Sequence, residues 1–275
     1  QGAKPGHGGI LPKEKVTEEI SKIRNVPMGR DVNSPPAHSA FSTPLEMMSF
    51  IKTLRELSGG KPVGIKLCIG KRREFLAICK AMNESGIAPD YIAVDGTEGG
   101  TGAAPLEFSD SIGTPLAEAL VFVHNALVGF NLRDKIKVIS SGKIITGFDI
   151  VKNIAIGADI CYSARALILD VGCIQSLRCN ANICPAGVAT QDPQLVKGLH
   201  VEDKAKRTSS YHDGTVQSVA EIIGAMGLNN TEELRPWHRM RRTDFTEIKH
   251  YGEIYEFIKP GSLLQKPYPE GWARA

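Results

Sequence analysis

Tyr91-Ile-Ala-Val-Asp95-Gly-Thr-Glu-Gly99-Gly100-Thr101-Gly102 is the stretch on which the fold turns. An apolar strand ends on an aspartate, and four glycines follow within the eight positions from Asp95 to Gly102. That is too many for a simple connection, because each glycine adds chain entropy that folding must overcome. Glycines there let a flat or bulky ligand lie against backbone; a mobile surface loop is the competing reading.

The same unit recurs on both sides. Upstream, Thr43, Pro44 and Glu46 make a capping box with proline at the first helical position, and Met47, Phe50, Ile51 and Leu54 follow at helical spacing. Gly59-Gly60 stops that helix, Val63 to Cys68 reads as a strand, and the next helix carries Phe75, Leu76, Cys79 and Met82 on one face up to Gly86. Downstream come a helix from about Pro115 to Phe130, a strand from Lys137 to Ser140, a helix from Phe148 to Ile156 and a strand from Asp159 to Ser163. Alternation at this spacing predicts parallel strands joined by right-handed crossovers.

Four such strands form either a small open sheet or half of an eight-stranded barrel. Loop chemistry decides, because the unusual residues gather at the C-terminal end of each strand: Lys66 and Cys68, Asp95 to Thr101, Ser141-Gly142-Lys143, and Ser163-Ala164-Arg165. A (β/α)8 TIM barrel places its active site at that face, often with phosphate held after strands seven and eight. The expected fold is therefore α/β, about strands 5–8 of such a barrel over residues 1–170. A cysteine loop over 171–195 and a C-terminal helical extension over 196–275 follow, the latter signalled by Val216, Val219, Ile222 and Ile223. Gln1 is not a methionine and opens directly on a glycine-rich loop, which reads as the middle of a protein.

With 275 residues, 42% hydrophobic and 23% charged, the chain can bury a substantial core. Its net charge of +3 is small, and pairs such as Arg72-Arg73 and Arg241-Arg242 are short and scattered, so nucleic acid is not indicated. No apolar run reaches the roughly 18 to 20 residues of a membrane span, and the first residues lack signal-peptide order. A cytoplasmic protein is expected, and in a reducing cytosol clustered cysteines point to metal or redox chemistry rather than disulfides.

Phosphate needs close backbone N–H groups facing it, and Ser141-Gly142-Lys143 and Ser163-Ala164-Arg165 meet that need at consecutive strand ends, with Arg165 pairing the oxygens. Lys66 lies in an apolar strand, on one face with Gly64 and Cys68, and must meet an anion there or lose its charge. Contact with the electron-rich N1 and O2 edge of a reduced flavin is one reading, a lysine snorkelling from a strand end the other. Cys173, Cys179 and Cys184 stand at C-x5-C-x4-C with a proline after the last, a spacing able to wrap a compact iron-sulfur cluster. Three ligands suit a 3Fe-4S cluster; zinc and buried metal-free cysteines are the alternatives. Cys68, Cys79 and Cys161 read as packing residues. Gln1, Lys4, His7 and His38 supply polar groups near the end of the preceding strand, and Lys4 or Gln1 suits a dicarboxylate.

Gln1-Gly-Ala-Lys4-Pro-Gly, Asp95 with Gly99-Gly-Thr-Gly-Ala, the Ser-Gly-Lys turn followed by Thr146-Gly147, Gly157-Ala158 and Cys184-Pro-Ala-Gly-Val-Ala-Thr-Gln191 occur in one order. Together they resemble the synthase domain of the glutamate synthase family, from residue 1 to about 228. The resemblance implies a barrel binding FMN beside a 3Fe-4S cluster, where 2-oxoglutarate and ammonia give 2-iminoglutarate and hydride from flavin N5 reduces it to L-glutamate. It implies that Cys173, Cys179 and Cys184 hold the cluster, and that Lys66, Ser141, Gly142, Lys143, Ser163, Ala164 and Arg165 hold FMN. Asp95, Gly99, Gly100 and Thr101 would edge it, and Gln1, Lys4 and Lys66 would serve catalysis. Nothing here resembles the glutamine amidotransferase domain, so a complete glutamine-dependent synthase is not expected; the resemblance implies free ammonia or ammonia from a separate amidotransferase subunit, and electrons from ferredoxin or an NAD(P)H-reductase subunit. Cys161-Tyr-Ser-Ala-Arg165 is less glycine-rich than in the large synthases and points to the shorter relatives, some of which make N-methylglutamate. A phosphate-binding barrel with a nucleophilic loop cysteine, as in nucleotide dehydrogenases, is the rival from another class.

Overall fold

The computed structural model describes residues 10–35, 37–100, 108 and 110–273. A short antiparallel pair, β1 (Ile10–Leu11) with β2 (Val32–Asn33), brackets α1 (Glu18–Arg24). The α/β body follows as α2 (Pro44–Leu57), β3 (Gly64–Leu67), α3 (Arg72–Ser85), β4 (Tyr91–Asp95), α4 (Leu116–Gly129), β5 (Lys137–Ser141), α5 (Gly147–Ala155), β6 (Ile160–Tyr162) and α6 (Arg165–Asp170). Beyond the cysteine loop come α7 (Pro193–Val196), α8 (Val201–Ala225), a hairpin of β7 (Met240–Arg242) and β8 (Ile248–His250), and α9 (Tyr251–Ile254). The predicted helices and four main strands stand within a residue or two of their expected bounds. The two small antiparallel pairs were not legible, because strands of two or three residues carry no usable alternation.

All neighbours in the main sheet are parallel, in the order β3-β4-β5-β6. The strand order never reverses, so crossovers of one hand lay every helix on the same face, as in a barrel arc and unlike a doubly wound sheet. The side chains agree. Ile65, Leu67, Ile92, Val94, Val138 and Cys161 alternate toward the helices and join one core with α2, α3 and α4. The opposite face carries Gly64 and Lys66, Tyr91, Ala93 and Asp95, Ile139 and Ser141, then Ile160 and Tyr162. On that face Ile160 and Tyr162 remain 46% and 45% exposed, and no helix covers them among the described residues. This is the concave side of a half-barrel, with β3 and β6 as its open edges.

The helix ends explain their own positions. The capping box Thr43/Glu46 opens α2 and a second, Thr146/Asp149, opens α5, where burial works against the Asp149 carboxyl but Lys152 and the Thr146 and Ile145 amides draw it down to about 2. The amphipathic faces of α5 and α8 meet through Val151, Ala155, Val219, Ile222 and Ile223. Gly147 lets them close, since a Cβ there would stand 2.8 Å from Ser218 Oγ. α4 is apolar nearly all round because the chain's end wraps it. Asn125 holds the Glu256 carbonyl and the Ile258 amide at 2.7 and 3.1 Å, Trp272 stacks on Phe122 with ring centres 5.2 Å apart, and Leu263 fills the notch at Gly129.

Candidate functional site

Three side chains meet where β3, β4 and β5 end on the concave face. Asp95 is 1% exposed, and its two carboxylate oxygens are treated differently. Ser141 Oγ donates to Oδ1 at 2.9 Å, whereas Oδ2 accepts no hydrogen bond from the described residues and is faced by Lys66 Nζ at 3.4 Å. The parallel register places Lys66 beside Ala93 and Asp95 beside Ser141, so the contacts are one diagonal and one direct cross-strand pair. Lys66 stays 40% exposed. Its ammonium is faced by a buried carboxylate while the side chain keeps contact with solvent, which answers how a lysine survives in an apolar strand. Cys68, which alternation would place beside it, lies just past the strand with its thiol raised by burial.

The glycine-rich loop is pinned along its first residues. Gly96 donates its amide to the Ser141 carbonyl at 2.9 Å, Thr97 donates its amide to the Thr114 carbonyl and its hydroxyl to the Ile112 carbonyl, and Glu98 accepts from the Leu116 amide at the start of α4. Gly99 is required by proximity, since a Cβ there would fall 2.2 Å from Asp95 Oδ1. Gly100 takes a positive φ of 112°. Thr101 lies outside the described residues, as do Gln1, Lys4 and His7.

Of the expected phosphate residues, Ser141 is committed to Asp95 and Gly142 and Lys143 turn the chain through φ values of 145° and 47°. The Lys143 ammonium pairs with Asp110 at 2.8 Å, a partner the sequence did not indicate. Ser163 donates to the Ile144 carbonyl at 2.8 Å, tying the two turns together. Ala164 is exposed, and Arg165 opens α6 with no carboxylate partner among the described residues. The two turns thus lie at adjacent strand ends, with a free guanidinium at one of them. His38 stands apart, stacked on Phe41 at 4.6 Å.

The cysteine loop curls tightly: Gly172, Gln175, Leu177, Asn182 and Gly187 all have positive φ. Cys173 Sγ accepts from the Gln175 amide at 3.4 Å. Burial acts to raise the Cys184 thiol, but the amides of Ala189, Ala186, Val188 and Gly187 surround it and hold it below the ordinary thiol value. That ring of donors suits a thiolate. Among the described residues, however, no three Cys, His, Asp or Glu side chains are grouped closely enough to hold a metal ion, so the loop carries its three thiols without bringing them to coordination geometry. Sequence reasoning missed what fastens it. Lys15 donates to the carbonyls of Cys179 and of Ala189, the latter at 3.1 Å, and Asn182 ties Glu14, Thr190 and Gln191 together. Only an asparagine at a turn hinted at this. Cys79, wholly buried, has its thiol pushed up to about 12 by burial, which fits a packing role.

A parallel four-stranded sheet with helices on one face, and charged and glycine-rich groups gathered at the C-terminal ends of its strands, defines the class as an α/β barrel-type domain. A family model described as a conserved region in glutamate synthase matches residues 1–229. The glutamate synthase large subunit-like protein YerD of Bacillus subtilis (strain 168) is 40% identical over 94% of this chain and 49% of its own length. An archaeal glutamate synthase [NADPH] of Methanocaldococcus jannaschii is 38% identical over 86% of this chain and 46% of its own length. The chain belongs to the glutamate synthase family and spans about half the length of these relatives. Among solved structures, the flavin-binding domain of baker's yeast flavocytochrome b2 overlaps 80% of this chain and 42% of its own, at TM-score 0.43 and 16% identity, too loosely to bear on function.

Proposed function

We propose that this chain is the flavin-holding half of an FMN-dependent oxidoreductase that reductively aminates 2-oxoglutarate to L-glutamate. The observation that carries the reading is the Lys66–Asp95–Ser141 group on the uncovered face of the sheet, in a chain of this family. The residues fit the cofactor: a part-exposed ammonium, the exposed side chains of Ile160 and Tyr162 on the uncovered face, a close-approach glycine at Gly99, and two turns at neighbouring strand ends. FMN, when bound, supplies the hydride that reduces the imino acid. Lys66 would face the electron-rich edge of the flavin, Asp95 holds the Lys66 side chain in place, and Ser141 orients Asp95. Gly142, Ser163, Ala164 and Arg165 would hold the phosphate, with the Lys143 ammonium, now paired with Asp110, close to the same turn. Gly99, Gly100 and Thr101 edge the ring, and Gln1 and Lys4 bind the carboxylates of the 2-oxoacid.

Cys173, Cys179 and Cys184 are assigned to a 3Fe-4S cluster on the chemistry of the donor set and the amides around Cys184. The name of the archaeal relative contains NADPH, which supports a reductase subunit as electron source, with ferredoxin the other candidate. Ammonia from a separate amidotransferase subunit and a cytoplasmic setting complete the reading; no helix among the described residues is long and apolar enough to cross a membrane. Anaerobically prepared full-length protein should show flavin absorption and bound iron, and Lys66→Met should retain the fold while losing 2-oxoglutarate turnover by about tenfold or more. A colourless protein with neither flavin nor iron overturns the proposal.

A further inference from the structure

Where the C-terminal extension packs against α5, one arginine is buried without a counter-charge. Arg239, the residue before β7, lays its guanidinium on the face of Tyr251, 3.8 Å from the ring centre, and the Phe148 ring of α5 lies 5.9 Å from it. Rings meet only the flat face of a guanidinium, while its N–H groups point outward in the plane and need acceptors. Nε is wholly buried and finds none, and no carboxylate lies within ion-pair reach of Arg239 among the described residues. Burial holds its pKa below the ordinary arginine value, yet a guanidinium keeps its proton in proteins, so the charge stays. Asp149 pulls the other way, but it is already bonded to Lys152 and to the first turn of α5.

Arg239 lines a cavity of about 80 Å³ between α5, the end of α8 and the stretch leading into β7. That is several times the ~10 to 15 Å³ that a single water needs, and far below the roughly 300 Å³ at which pockets take organic ligands. Phe148 and Lys152 of α5, with Met226 and Leu234, form its walls, and no Asp or Glu lines it among the described residues. His238 lines it too. Its Nδ1 accepts the Arg235 amide at 3.1 Å, so the neutral ring carries its proton on Nε2 and keeps a donor to give. Lys152 adds a charge that Asp149, at 2.7 Å, largely meets. A cavity this small, with positive charge and donors but no carboxylate, is matched by a compact anion.

We propose that this cavity is a binding site for one small oxyanion of the phosphate class, held by the Arg239 fork through Nε and a neighbouring N–H, with His238 Nε2 as a further donor. An arginine fork fits two oxygens of a tetrahedral oxyanion, which chloride cannot offer. The donors come from positions 238 and 239, beyond the stretch 1–229 that the family model matches, while α5 lies within it. The bound anion thus ties the C-terminal extension to the α/β body. None of the residues given to the flavin phosphate takes part, and the site does not depend on the flavin reading.

The test is calorimetric titration of inorganic phosphate into the full-length protein held in excess FMN, with potassium chloride at the same ionic strength as the comparison. The expected result is one phosphate bound per chain, no response to chloride, and affinity weakened by about tenfold or more in Arg239→Gln. His238→Asn keeps an acceptor for the Arg235 amide while removing the Nε2 donor, and should weaken phosphate by about fivefold; it decides the outcome should Arg239→Gln fail to fold. Arg165→Gln, at the strand-end turn, should leave phosphate affinity unchanged, which keeps a failure here distinct from a failure of the flavin reading. Absence of phosphate binding, an equal response to chloride, affinity indifferent to Arg239→Gln or, where that variant does not fold, to His238→Asn, or affinity lost in Arg165→Gln instead, would overturn the proposal.

Discussion

Replacing Gly99 by alanine adds a single methyl group at the tightest point of the candidate site. The new Cβ would fall 2.2 Å from Asp95 Oδ1 and 2.6 Å from its carboxyl carbon. Gly99 does not use the left-handed region, so the cost is steric and not one of backbone conformation. Asp95 cannot swing away freely, because Ser141 holds one oxygen at 2.9 Å, Lys66 faces the other at 3.4 Å, and the residue is 1% exposed. Overpacking of this kind costs about 1 to 3 kcal/mol, and displacing a hydrogen-bonded carboxylate adds roughly another 1 to 2. Gly99→Ala should therefore destabilise by about 2 to 5 kcal/mol. In an Asp95→Ala background the obstructing carboxylate is gone, and the same change should cost less than about 1 kcal/mol. Urea unfolding of the four proteins of the cycle, compared at unchanged m-value, reads the coupling directly. A neutral Gly99→Ala, or one equally costly in both backgrounds, would show that Gly99 does not lie on the Asp95 carboxylate and would remove the geometric basis of the site.

Lys15→Met should loosen the cysteine loop without unfolding the sheet, seen as faster amide exchange over residues 179–190 and about tenfold faster alkylation of Cys179 and Cys184; unchanged exchange would refute the latch through the Cys179 and Ala189 carbonyls. His124 supplies a pH dependence. Burial first, and then the Arg133 guanidinium 3.2 Å from its Nδ1, lower it from 6.5 to about 4. The unfolded chain therefore takes up a proton below pH 6.5 while the folded one stays neutral until about 4, so this contribution to stability is full above 6.5 and lost as pH falls through that window, by up to about 3 kcal/mol. His124→Gln should flatten the stability profile between those values, and an unchanged slope would show that the ring is solvated.

Much of the fold was legible because helix and strand periods, caps and glycine stops are local. Thr43 with Glu46, Gly86 and the apolar runs ending at Asp95 and Ser141 place their elements without reference to the rest of the chain. The site was legible in part for the same reason: a lysine in an apolar strand and glycines packed after an aspartate are chemical anomalies visible in one dimension. The pairing of Lys66 with Asp95 across 29 positions was not, because it depends on parallel register, which no single strand encodes. Nor was the Lys143–Asp110 pair, the hold of Lys15 on the cysteine loop, or the clasp of Trp272 on Phe122.

The sequence by itself determined the alternation of elements, the family, and the residue types that carry chemistry, since each depends on short-range pattern. Tertiary structure alone decided which face of the sheet lies uncovered, which carboxylate neutralises which ammonium, and that Lys15 fastens the distant cysteine loop. Those outcomes depend on contacts between residues tens or hundreds of positions apart, and the energy of such contacts exists only once the chain has closed on itself.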